Sequence, residues 1–215
     1  AMTAECYNVS GSFSPATRHW GRLCFSAEAA AGAVGIDLLI DRLSGVGFAA
    51  YDTDGDLYVA RTNDWGKSFE SPIALGISGE EPSLCRFGSS SRHWGIVYNV
   101  GTALRLVESK DDFATISEVT PMTITGTHAR ARVHPLTGIM LIAFYSGENI
   151  WCARSTDNGQ TLSTPTMVVA ASEQAFGLDV SMDARNIWVI TYRDDESEIC
   201  TRWSADNGLT WHVPA

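Results

Sequence analysis

Much of the chain alternates apolar and polar positions over short runs, or stays apolar for one short run, and each run stops at Gly, Asn, Asp or Ser. Pro82–Phe87, His93–Asn99, Ala129–Val133 and Gly138–Tyr145 are of this kind. Such runs, rich in β-branched and aromatic residues, predict antiparallel strands joined by hairpins. They also recur. The segments Leu57–Phe69, Leu104–Ile116, Ile150–Leu162 and Ile199–Trp211 align with one another, and their shared Asp64, Asp111, Asp157 and Asp206 are separated by 47, 46 and 49 residues. Two strands precede each segment and one follows, so each repeat predicts a four-stranded antiparallel sheet. Four strands in a repeat of about 40–50 residues is the period of a β-propeller blade.

The shared pattern is Ser/Thr-x-Asp-x-Gly-x-Ser/Thr followed by an aromatic or aliphatic residue. It resembles the Asp box, or BNR repeat, of sialidases and their relatives. That resemblance implies an all-β propeller in which Asp64, Asp111, Asp157 and Asp206 staple hairpins and do no chemistry. The side-chain types suit a staple, since Asp accepts hydrogen bonds from its own turn, glycine permits positive φ, and the last residue anchors in the core. The second copy carries Phe113 where glycine is expected, which predicts a different or a strained turn.

The division that follows is a partial blade and linker over residues 3–33, then blades over 34–80, 81–126, 127–174 and 175–215. Glu5–Val9 and His19–Phe25 read as two strands of the partial blade, with Trp20 in the anchor position of a decayed box and Ala27–Ala33 as a linker or short helical turn. A five-bladed ring completed by these strands is favoured over a truncated larger ring or one completed by another subunit.

Blade connectivity puts the box turns on one side of the ring and the second-to-third turns on the other. On that second side Tyr51, Tyr98, Tyr145 and Tyr192 recur at intervals of 47 residues, which predicts four rings at equivalent heights. Such rings either stack on sugars or pack between blades. They are the candidate ligand-binding residues, with Arg193 beside them. The neighbouring turns are acidic: Asp52–Asp56, Ser146–Asn149 and Asp194–Glu198, with Glu80 and Glu81 on a link. Asp52, Asp54 and Asp56 read either as a weak calcium site or as a solvated hairpin tip. No other cofactor is expected.

A formal net charge of −10 excludes generic binding to phosphate backbones. No apolar run is long enough for a membrane helix, and the N-terminus lacks a signal-peptide pattern; the expected setting is cytoplasmic or virion-associated. Cys6, Cys24, Cys85, Cys152 and Cys200 are far apart without a CxxC pair, so they read as buried apolar residues and not as zinc ligands.

The resemblance to sialidases implies three carboxylate-clamping arginines, a tyrosine nucleophile and an acid/base aspartate. Arg86, Arg130, Arg132 and Arg193 fall near the rim, with Arg86 and Arg132 at matching repeat positions that suggest packing or salt bridges. An Arg-Ile/Leu-Pro segment ahead of the first blade is missing, and His19, His93, His128 and His134 make no triad or metal pattern. The sequence therefore favours a non-catalytic binding or structural module for a glycan or a protein surface. Its resemblance extends to phage and virus tail or receptor-binding propellers, and homo-oligomers or larger assemblies fit that setting. A sialidase-class hydrolase is the alternative.

Overall fold

The computed structural model describes residues 33–41, 44–88, 92–119, 122–170, 176–183, 185–194 and 198–214. Among them there is no helix, and fifteen strands form four antiparallel meanders. The first contains β1 (Ala33–Ile40), β2 (Gly47–Thr53), β3 (Asp56–Thr62) and β4 (Ile73–Ser78). The second contains β5 (Glu80–Arg86), β6 (Trp94–Val100), β7 (Ala103–Ser109) and β8 (Ser117–Val119). The third contains β9 (Thr127–Val133), β10 (Met140–Ser146), β11 (Asn149–Ser155) and β12 (Thr166–Val169), and the fourth β13 (Phe176–Met182), β14 (Trp188–Arg193) and β15 (Ile199–Ser204).

First strands pack in series, β1 on β5, β5 on β9 and β9 on β13, which makes the sheets propeller blades around a common axis. The fourth blade departs from the expected four strands: after β15 only an isolated bridge joins Trp203 to His212. The expected N-terminal strands, with Trp20, Cys6, Cys24 and His19, lie outside the described residues.

Strand periodicity supplies the interblade cores, because alternate residues of each blade face opposite neighbours. Phe48 and Ala50 of the first blade meet Trp94 and Ile96 of the second. Leu104 and Leu106 of the second meet Met140 and Ile142 of the third, whose Leu141 and Ala143 turn the other way to meet Trp188 and Ile190. The thiols of Cys85 and Cys152 are free and buried within these layers, and burial pushes both up to about 12.

All four Asp-centred turns share one hydrogen-bond pattern. The hydroxyls of Thr62, Ser109, Ser155 and Ser204 donate to Oδ1 of Asp64, Asp111, Asp157 and Asp206 at 2.7–2.9 Å. They accept from the backbone N–H of Gly66, Phe113, Gly159 and Gly208 at 2.8–2.9 Å. Each carboxylate then accepts a backbone and a hydroxyl hydrogen bond from Ser68, Thr115, Thr161 or Thr210. Hydrogen bonds to the charged form hold all four aspartates below the ordinary carboxylate range. Ser68 brings Asp64 to about 2; at Asp206 burial pulls the other way, but Thr210 and Ser204 bring it to about 2 as well. The turns are followed by anchors, and Ile116, Leu162 and Trp211 each pack on the core between their own blade and the one before.

The second turn keeps the common backbone and is therefore the strained one. Phe113 sits at φ 62, with Asp112 at 59 before it. Its ring is 2% exposed and meets Phe48 edge-on at a centroid distance of 4.9 Å. Asp112 ties the turn down by accepting from Trp94 Nε1 at 3.1 Å and Arg92 Nε at 2.7 Å.

Candidate functional site

The sequence-predicted tyrosines are placed in the ring's interior. Tyr51, Tyr98, Tyr145 and Tyr192 are 3–7% exposed. They are also not one symmetric set. Tyr51, Tyr98 and Tyr192 share a register position, but in the third blade that position belongs to Phe144, opposite Trp151. Gly79 and Gly126 confirm the match, since a Cβ on either would meet Tyr98 at 2.3 Å or Phe144 at 2.4 Å. Tyr145, one residue further, takes the position of Asp52, Asn99 and Arg193 and faces the fourth blade. Its hydroxyl is buried without a partner among the described residues, and burial with neighbouring Tyr192 pushes it up to about 12. Such a phenol is poorly suited to serve as a nucleophile. Arg193 is exposed and, with Gly177, Thr191, Tyr192 and Ile199, lines a shallow depression of about 330 Å³.

Among the described residues the acidic turns are held apart by their own partners. Asp52 is 3% exposed, and its Oδ1 accepts from Gly35 N at 2.9 Å and Glu81 N at 3.1 Å, joining two blades. Asp56 accepts from the Ser78 hydroxyl, while Asp54 and Gly55 both have positive φ, as a two-residue hairpin tip requires. Among the described residues no group of three His, Cys, Asp or Glu side chains is placed to hold a metal ion. Glu81 instead binds His128, through the backbone N–H at 2.8 Å and Nε2 at 3.0 Å.

The arginines are held by partners. Arg132 Nη1 and Nη2 bind Asp37 Oδ2 and Oδ1 at 2.9 and 3.2 Å, and Nη2 also reaches Asp179 Oδ1 at 3.4 Å. Asp37 further accepts from Leu38 N, Ser83 Oγ and Leu84 N, so one axial network touches all four blades. Arg86 pairs with Asp41 at 3.0 Å, and Arg130 donates to Ala129 O. The salt-bridge expectation for Arg86 and Arg132 holds, but their equivalence does not. Arg86 lies opposite Trp94 and Arg132 opposite Leu141, because the β5–β6 link is one residue longer than the β9–β10 link. Neutralised by two carboxylates, Arg132 lacks the free fork that clamps a substrate carboxylate.

A different feature has the shape and chemistry of a binding site. Between the second and third blades a cleft of about 500 Å³ is lined by Thr123, Ile124 and Thr125 on one wall, and by Phe144, Ser146, Trp151 and residues 162–165 on the other. The first wall is held against β7 by Leu104 N to Ile124 O at 3.2 Å and Gly126 N to Thr102 O at 2.7 Å. Its buried Met122 and Ile124 fasten it to the core. On the second wall Trp151 is half-buried and Ser163 and Thr164 are exposed. The cleft is lined by the aromatic Phe144 and Trp151 and by five hydroxyl-bearing residues, Thr123, Thr125, Ser146, Ser163 and Thr164, at a volume typical of small-molecule sites. Sequence reasoning passed over Trp151. The available signal was its place in the aligned repeats, where Tyr58, Arg105 and Cys200 stand in the other copies.

No family model and no curated protein matches the sequence. Solved structures share the fold. A PL25 polysaccharide lyase, an ulvan lyase bound to -[GlcA(1-4)Rha3S]-, aligns at 14% identity and TM-score 0.58 over 80% of this chain and 52% of its own. The xyloglucan PUL GH43B of Bacteroides ovatus aligns at 11% identity and TM-score 0.60 over 85% of this chain and 41% of its own. The K499G mutant of NanB sialidase from Streptococcus pneumoniae aligns at 14% and 0.53 over 74% and 28%. This chain thus spans about half or less of these proteins' lengths, and it shares with them the β-propeller fold that the repeats suggested.

Proposed function

We propose that this chain is a carbohydrate-binding propeller module whose saccharide lies in the Trp151 cleft. The observation that carries the reading is the combination of two aromatic with five hydroxyl-bearing side chains in one cleft of about 500 Å³. An indole face covers the C–H face of a sugar while hydroxyls exchange hydrogen bonds with its edge. The neighbouring folds include a polysaccharide lyase, a GH43 enzyme and a sialidase, which supports a glycan as the ligand class. In a saccharide screen by array and calorimetry, Trp151→Ala is expected to weaken the best ligand at least about tenfold, since truncating an aromatic anchor removes a hot spot. Unchanged affinity in the folded variant refutes the assignment.

Those same neighbours raise a catalytic reading, with chemistry on the inner strands where Asp37, Arg132 and Asp179 meet. The saturated contacts of Asp37 and Arg132 speak for a structural network there. Turnover of sialosides or neutral aryl glycosides that disappears in Asp179→Asn would overturn the non-catalytic reading.

The ring itself is part of the proposal. Ala49, Tyr51 and Ala60 lie on the face of the first blade turned away from the second, and they are 0–5% exposed. This burial supports completion of a five-bladed ring by residues 3–33. A chain beginning at Ala33 should then lose cooperative unfolding, and equal stability of the two chains would dismiss the idea.

A further inference from the structure

We infer that the Trp151 cleft selects uncharged saccharides over uronate, sialylated or sulfated ones, an inference that rests on the cleft being a saccharide site. Among the described residues that line it none carries a charge: Thr123, Thr125, Ser146, Ser163 and Thr164 supply the polar groups, and the remainder are apolar or aromatic. A sugar carboxylate or sulfate entering it would surrender hydration without meeting a cation. Bidentate arginine is the group that repays that loss, and none is among the described lining residues. Electrostatics beyond the walls act the same way. Exposed Glu148 sits in the β10–β11 turn two residues from Ser146, and the whole chain carries a net charge of −10. An anionic ligand is therefore repelled before it docks.

Hydroxyls suit the uncharged ligand for a positive reason as well. Ser and Thr both donate and accept, so they match sugar hydroxyls in either role. The axial arginine does not extend the selectivity to anions, because it lies on the inner strand β9 and is held by Asp37 and Asp179.

The test uses the full chain and pairs of an uncharged and an anionic probe: lactose against sialyllactose, and fully methyl-esterified polygalacturonate against polygalacturonate, the second pair sharing one backbone. Calorimetry should show the uncharged member bound and the charged member at least about tenfold weaker, the penalty of one unpaired buried ionic group. Thr164→Arg, at an exposed wall position that leaves the core untouched, should narrow or reverse that ratio. Charged members binding as well as uncharged ones, with both lost in Trp151→Ala, would overturn the selectivity and leave the site standing. Binding of either kind that Trp151→Ala leaves intact would overturn the site, and selectivity at it fails with the site.

Discussion

Replacing Arg132 with alanine is expected to lower the free energy of unfolding by about 3–5 kcal/mol, read as a fall in the urea midpoint, because it strands the carboxylate of Asp37. The pair is well shielded: the side chains of Arg132 and Asp37 are 15% and 10% exposed. Arg132 also donates to the backbone oxygens of Ala131 and Leu84, so its loss leaves acceptors of two blades unpaired. Arg132→Met should cost nearly as much as alanine, since filling the space does not neutralise Asp37. Adding Asp37→Leu to Arg132→Met should recover only the part owed to the stranded carboxylate, because Leu38 N, Leu84 N and the two backbone oxygens stay without those partners. A loss below about 1 kcal/mol for Arg132→Ala would place the network in the class of weak surface pairs.

Phe113→Gly is expected to destabilise the fold by about 1–4 kcal/mol, although it installs the residue that the turn prefers. Two effects oppose each other. Glycine relieves positive-φ strain of about 1–2 kcal/mol, while deleting a fully buried phenylalanine costs about 3–5 kcal/mol. Phe113 fills space against Phe48 and Trp94 in the layer between the first two blades. The equivalent Gly159 has no such space, as a Cβ there would meet Leu106 at 2.3 Å. Thermal and urea unfolding of Phe113→Gly will decide the balance, and a stabilised variant would show that strain outweighs packing at this turn.

These two positions also mark what the sequence disclosed. Turn chemistry is local, so the repeat, the strands and the irregularity at Phe113 were legible from residue types alone, while the choice of a strained over a different turn was read from the backbone. Arg132 and Asp37 are 95 residues apart and meet only once three blades are docked, and no spacing announces such a pair. The tyrosines show a subtler failure. The second and third boxes are 46 residues apart, so the residue 47 beyond Tyr98 overshoots its equivalent by one. In a strand a shift of one exchanges faces, which turned Tyr145 toward the fourth blade and left Phe144 in the shared position. The Trp151 cleft was hidden for another reason: it is assembled from a link, two strands and the segment after a box, and only the packing of adjacent blades creates it.

Each Asp-centred turn closes its hydrogen bonds within a few residues of its own aspartate. Such a part can be copied, moved to another blade or inherited intact while the sequence around it is rewritten. The cores between blades ask only for apolar residues that fill the volume, so most positions of a lineage built this way are free to drift. One frame can then be filled by very different sequences, and this chain superimposes on solved enzyme structures at only 11–14% identity.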